Sequence, residues 1–339
     1  MLKIIRTLFT FALLLIPIGL SSATPSSTYK GFNIEKELEK PTRAFKKAVK
    51  KGAKAEEVEA YYLMGRMVEG YYLFSSGYQE EDSMRWYLIA AKLGYAPAQF
   101  QYANGAFELF GEFEKYKFES DKDIIESLEL TKLEAMTWAH MAGIQGNREA
   151  EFFLYEQYKN GGVVPINLQT AFDWLKKSAE NGYPEAMYEY GKNLLSGYQL
   201  VPKDEDVGLG FIRKAAESEH PEALKKMGGY YATGIYVEQD KEKAIEYFYE
   251  CVYLEVFLCV GDLSDQLYEG KEYKKAYAWD FIETHFFNDK KELDEITGFI
   301  SYNDFNKDII SDEEKAEAID IAKACLISNY EICELFDKF

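Results

Sequence analysis

The sequence predicts an all-α fold, an α-solenoid of stacked helix-turn-helix repeats, and three observations predict it. The first is a register of rare residues. In 15-residue frames starting at Ser83, Ala135, Ala171, Gly208, Ala244, Ala276 and Ala318, the third step reads Trp86, Trp138, Trp174, Phe211, Tyr247, Trp279 and Ile321. Steps seven and fifteen are mostly small, as in Ala90 and Ala98, Ala142 and Ala150, Ser178 and Ala186, and Ala215 and Ala223. The second is the period. The frames start 52, 36, 37, 36, 32 and 42 residues apart, a spacing that belongs to stacked helical pairs. The third is punctuation. Glycine stands eleven residues after step fifteen at Gly161, Gly197, Gly234 and Gly270, where it can end a helix in the left-handed region.

The N-terminus predicts a targeting segment. Lys3 and Arg6 precede an apolar run from Leu8 to Leu20, and Ser21, Ser22 and Ala23 supply small residues for cleavage. The run is short for a membrane span. Residues 1–23 therefore read as a signal peptide, and the rest as a periplasmic or secreted protein without stable membrane insertion. The chain has 39 Lys and Arg against 58 Asp and Glu, a net charge of −19. Such a balance disfavours nucleic acid and anionic lipid as partners. Residues 24–58 read as a linker and capping helix, with a lone amphipathic helix over 33–52.

Within each repeat, the first helix precedes a tight turn and the second follows it. In the third frame, Trp174 and Ser178 lie four apart and share a helix face. Gly182 then stops the helix, and Pro184 suits the first turn of the next. Gly94 with Pro97, and His220 with Pro221, repeat the device. Thr131, Asn167, Asp204 and Asp240 stand four residues before their frames as N-caps. Small residues at steps seven and fifteen let the two helices approach to about 8 Å. The repeats span 59–287, with an insertion at about 107–130 rich in Phe, Glu, Asp and Lys. Residues 288–339 read as a degenerate repeat and cap.

The four cysteines fall on the small steps, at Cys251 and Cys259 and at Cys325 and Cys333. Eight residues along an unbroken helix span about 12 Å, whereas a disulfide needs Cα atoms within about 7 Å. Each pair can bond only if the chain reverses between its members, as the frame predicts. An oxidising compartment suits such pairs. A zinc or redox role is the rival, although the spacing is not that of a zinc knuckle.

These residues resemble the Sel-1-like repeat, most clearly in Ala186-Met187-Tyr188-Glu189-Tyr190-Gly191 and in Asp240 through Cys251. The Cys-x7-Cys pairs are similar to those of its secreted, cysteine-rich branch. The resemblance implies a right-handed solenoid, related to tetratricopeptide repeats, whose second helices line an inner surface. It places Phe100, Gln101, Asn104, Phe152, Phe153, Glu156, Tyr188, Glu189, Lys192, Lys225 and Lys226 on that surface, facing a protein or peptide partner. It further implies two alternatives: an immunity protein neutralising a secreted toxin, and a penicillin-binding or β-lactamase-like enzyme.

Chemistry beyond binding has little support in the sequence, which points to no cofactor and no enzyme. His140 takes the frame place of solvated Lys176, His220 lies in a turn, and His285 lies in an aromatic run. The one Ser-x-x-Lys match, Ser27 to Lys30, sits on what reads as a frayed terminus. Asp304, Asn306, Asp308 and Glu314 resemble a calcium loop that lacks its turn glycine. The competing reading makes Ser311 and Glu314 a capping box for the last helix.

Overall fold

The computed structural model describes residues 28–39, 42–54, 56–69, 81–115, 122–197, 200–254, 256–285 and 309–327. The signal segment 1–23 lies outside them. The chain forms two compact units, residues 1–186 and 187–339.

The first unit opens with a hairpin, β1 (Thr28–Tyr29) paired antiparallel with β2 (Phe32–Asn33). Lys30 and Gly31 turn it, both at positive φ. Helices α1 (Ile34–Glu39), α2 (Arg43–Lys54), α3 (Val58–Glu69), α4 (Glu81–Lys92), α5 (Ala96–Lys115), α6 (Lys122–Ile144), α7 (Arg148–Asn160) and α8 (Leu168–Glu180) follow. α9 (Pro184–Ser196) spans the division. The second unit continues with α10 (Glu205–Glu217), α11 (Pro221–Thr233), α12 (Lys241–Leu254), α13 (Val256–Glu269), α14 (Tyr273–His285) and α15 (Asp312–Ile327). Consecutive helices pack on one another through α2 to α8 and through α10 to α15. The fold is an all-α solenoid.

One joint recurs between the helices of a repeat. The carbonyl at step seven accepts the N–H of the residue five positions on: Tyr95 to Ala90, Asn147 to Ala142, Tyr183 to Ser178 and His220 to Ala215, each at 3.1 Å. A second bond nests inside it, from Gly94 to Ala91, Gly146 to Gly143, Gly182 to Ala179 and Glu219 to Ala216. This pair of bonds is a Schellman closure, which needs a left-handed residue. Gly94, Gly146 and Gly182 supply it with φ of 89°, 81° and 79°. Glu219 supplies it at φ 59° with no glycine.

The same turn starts the next helix. The Asn147 side chain accepts the Ala150 N–H at 2.8 Å, and His220 Nδ1 accepts the Ala223 N–H at 3.2 Å. The small steps then meet. Ala90, Ala98, Ala142, Ala150, Ser178, Ala186, Ala215, Ala223, Cys251 and Cys259 have no exposed surface. Cys251 and Cys259 are joined by a disulfide with Cα atoms 6.0 Å apart. Cys325 is disulfide-bonded as well, and Cys333 lies outside the described residues.

Step-three aromatics tie each repeat to the one before. Trp86 stacks on Tyr61 at 5.8 Å, Trp138 meets Tyr102 at 6.1 Å, Phe211 meets Tyr190 at 5.2 Å, and Tyr247 stacks on Tyr231 at 5.7 Å. Step seven adds a polar tie. Ser178 Oγ donates to the Arg148 carbonyl at 2.7 Å, and Cys251 Sγ lies 3.5 Å from the Pro221 carbonyl, in each case the first residue of an earlier second helix. α9 and α10 approach closely at Gly191, where an added Cβ would come within 2.8 Å of the Gly208 carbonyl.

Asn167, Asp204 and Asp240 cap their helices as expected, accepting from Thr170, Val207 and Lys243 amides at 3.0 to 3.1 Å. Four expectations change. Residue 131 lies inside α6, which the insertion extends back to Lys122, and α5 runs on to Lys115, so the insertion lengthens both helices. Lys271, not Gly270, holds the left-handed position after α13, at φ 67°; the Lys271 and Glu272 amides close that helix one residue later. The N-terminal helix is two helices, and Pro41, which lacks an N–H, falls between them. The second is capped by Thr42, whose Oγ1 accepts the Phe45 N–H at 3.2 Å. Finally, the chain at Thr28–Lys30 is not frayed: Tyr29 is buried, its hydroxyl donates to Glu57 at 2.6 Å, and Lys30 pairs with Glu57 at 2.7 Å.

Two predictions test the joint. Ala150→Leu should cost about 1–3 kcal/mol by overpacking, whereas Glu219→Gly should stabilise by about 1 kcal/mol by relieving a left-handed L-residue; urea unfolding measures both. Cys259→Ser should cost about 2–3 kcal/mol, and non-reducing peptide mapping should yield the Cys251–Cys259 link together with Cys325–Cys333.

Candidate functional site

The second helix of each repeat starts with its step-fifteen residue buried, so the residues two, three and six positions later rise beside that seam. In the first unit these build an aromatic face across α5 and α7. Phe100 packs on the Ala96, Ala142 and Ala150 cluster and meets Phe153 edge-on at 6.1 Å. Phe107, about two turns further along α5, meets the same Phe153 ring at 4.9 Å. Phe152 contacts Tyr155 at 5.4 Å and Tyr183 at 5.2 Å. Polar groups edge the rings. Gln101 is half-buried, and Asn104 donates to Glu108 at 2.9 Å. Glu156 is exposed as a residue, yet desolvation of its carboxyl raises that group above the usual range. Burial likewise pushes the Tyr183 hydroxyl up to about 12.

Arg148 and Glu151 fix this face to the turn ahead of α9. Arg148 donates to the Gly182 carbonyl at 2.9 Å. Asn181 Nδ2 donates to both oxygens of the buried Glu151 carboxylate, at 3.0 and 2.8 Å. No local pattern announces this latch, because its halves lie 30 to 34 residues apart.

In the second unit the corresponding residues are more heavily engaged. Tyr188 is 7% exposed and stacks on the His220 ring at 4.8 Å. Lys192 lies over the Tyr188 ring at 4.8 Å and pairs with Glu189 at 2.8 Å. Lys225 donates to the Leu258 carbonyl at 2.7 Å and pairs with Asp262 at 3.2 Å, spanning α11 to α13. Lys226 is exposed. Tyr188 and Lys225 therefore build the surface, while Lys226, Glu189 and Lys192 are offered on it.

The histidines, Lys30 and Glu314 each have structural partners. His140 is half-buried instead of fully solvated: its Nε2 lies 3.0 Å from the Tyr158 hydroxyl, and its ring meets Trp174 at 5.7 Å. Desolvation lowers its affinity for a proton. His220 caps α11, and His285 stacks on Phe281 at 4.2 Å. Ser27 lies outside the described residues, and Lys30 is held charged, chiefly by its hydrogen bond to Glu57. Glu314 forms a capping box: its Oε2 accepts from the Ser311 N–H at 2.7 Å and Oγ at 2.8 Å, and its own N–H donates to Ser311 Oγ at 3.2 Å. Asp304, Asn306 and Asp308 lie outside the described residues. Among the described residues no group of three or more His, Cys, Asp or Glu could hold a metal ion, and no helix is long and apolar enough to cross a membrane.

Stacked helical pairs with packing surfaces and no assembled acid–base set among the described residues define a repeat protein of the solenoid class. The chain carries Sel1 repeats: the Sel1 repeat model matches residues 58–95, 155–183, 184–220 and 221–250. Sel1 repeats generally bind protein partners. Among solved structures, a Sel1 repeat protein from Oxalobacter formigenes is similar at 20% identity and a TM-score of 0.51, over 70% of this chain and 91% of that one. So is c5321, a protective antigen of uropathogenic Escherichia coli strains with an SLR fold, at 18% identity and a TM-score of 0.51. That similarity covers 87% of this chain and 66% of c5321. These likenesses concern the fold. None of the curated proteins matches the chain in sequence.

The burial of His140 sets a pH dependence. Its proton affinity is lower folded than unfolded, so its contribution to stability is complete above about pH 6.5 and is lost as pH falls through the folded value. His140→Gln should flatten the melting temperature between about pH 7 and 5, as measured by calorimetry at closely spaced pH values.

Proposed function

We propose that the chain is an exported, disulfide-braced scaffold that binds a protein or peptide on the surface presented by its second helices. Support for the site comes from the character of that surface. Phe100 and Phe107 hold their rings against Phe153, and Phe152 rests on Tyr155 and Tyr183, with Gln101, Asn104 and Glu156 beside them. Aromatic anchors edged by polar groups are what protein interfaces centre on, and rings already locked in place lose little freedom on binding. Glu189, Lys192 and Lys226 add charge that would favour one partner over another. Support for export comes from the leader-like N-terminus and from the Cys251–Cys259 disulfide, a bond suited to an oxidising compartment.

Site-specific photo-crosslinking tests this in cells of the source organism. A photoreactive residue at Gln101 or Lys226 should trap one discrete partner, and Phe153→Ala should reduce the Gln101 adduct at least tenfold. The same probe at Lys176, on a first helix, should trap none. Equal labelling from all three positions would sink the proposal.

A further inference from the structure

One helix of this acidic chain is basic throughout. α2 carries Arg43, Lys46, Lys47, Lys50, Lys51 and Lys54 and no acidic residue, in a chain of net charge −19. Its apolar side is already occupied. Phe45, Val49 and Gly52 are buried, and Ala48 and Ala53 pack on the same core. Side chains four apart share a helix face, so Arg43, Lys47 and Lys51 form one row that ends near Lys54, about 16 Å long. All four are exposed, and among the described residues none is in an ion pair. Lys51 lies close enough to Glu57 to act on its carboxyl, but the Glu57 oxygens are taken by Lys30 and Tyr29.

Helix stability does not account for this row. Like charges four apart repel, and Arg43 stands at the positive end of the helix dipole. A chain with more acids than bases could readily place a carboxylate in that first turn.

We propose that the α2 row is a peripheral docking surface for an anionic phospholipid bilayer, contacting its phosphate headgroups. Charge complementarity is the first reason. The second is that the solvent side of α2 offers no aromatic or large aliphatic anchor of the kind a specific protein interface centres on. The third is that the apolar side is locked into the core, so the helix can lie on a bilayer but not insert into it. The net charge of the chain does not cancel the row. Fields between exposed charges fade over about 8–10 Å at physiological salt, so carboxylates farther away than that do not cancel the attraction of the row for a bilayer it touches.

Vesicle co-sedimentation of the full chain without its leader tests this. Binding is expected to vesicles of phosphatidylcholine with phosphatidylglycerol and not to phosphatidylcholine alone, and it should disappear as salt rises from about 0.1 to 1 M. Lys47→Gln, Lys51→Gln and Lys54→Gln together should weaken it about 100-fold, at about fivefold per charge near the surface. The triple variant should keep the parent's circular dichroism, and Lys226→Gln should bind as the parent does. Equal binding by the triple variant, or no binding to the anionic vesicles at low salt, would overturn the proposal. So would salt-sensitive self-association in sedimentation velocity that the triple variant loses while vesicles go unbound, since the row would then be meeting a second copy of the chain.

Discussion

The structure depends on a chain reversal completed in five residues. Carbonyls at step seven accept an amide from the residue that begins the next helix, and that residue's side chain, where it is Asn147 or His220, accepts an amide in return. One position thus ends one helix and starts another. The geometry leaves no room at the seam for more than a methyl group, a hydroxyl or a sulfur. That is why Ala, Ser and Cys share steps seven and fifteen, and why ten such side chains are wholly buried.

The two rare residue types solve different parts of the same problem. Aromatic rings at step three bridge each repeat to its predecessor, over distances a small residue cannot span. Cysteines act within the repeat. No glycine stands in the reversal between Cys251 and Cys259, unlike those at Gly94, Gly146 and Gly182. There the bond across the seam holds the helices where a relaxed left-handed turn holds them elsewhere. Glu219 is intermediate, keeping the left-handed turn without the residue that adopts it freely.

Elements that rest on short-range geometry were legible in the sequence. The caps at Asn167, Asp204 and Asp240, the turn glycines and the Ser311–Glu314 box each involve residues within a few positions. Other features carried no familiar signal. A histidine cap at His220 is unusual, and the positive φ at Glu56, Glu219 and Lys271 has no glycine to announce it. The Lys30-Gly31 turn between Tyr29 and Phe32 was readable as a hairpin signal but sat beside the leader-like segment. Of the residues expected on the binding surface, Lys226 is exposed and Gln101 half-buried, while Tyr188 and Lys225 are drawn into contacts with His220 and with α13, partners that no local pattern could name.

The ties that hold the stack join near neighbours: residues five to eight apart across a turn, or 16 to 53 apart between helices of the same or adjacent repeats. A chain built so has little long-range closure to complete as it folds, and low contact order favours rapid assembly. The same locality governs loss of structure. Opening can begin at one joint and spread by single repeats instead of all at once. The Cys251–Cys259 bond then serves as a bolt partway along the chain, where an advancing unravelling front would have to stop.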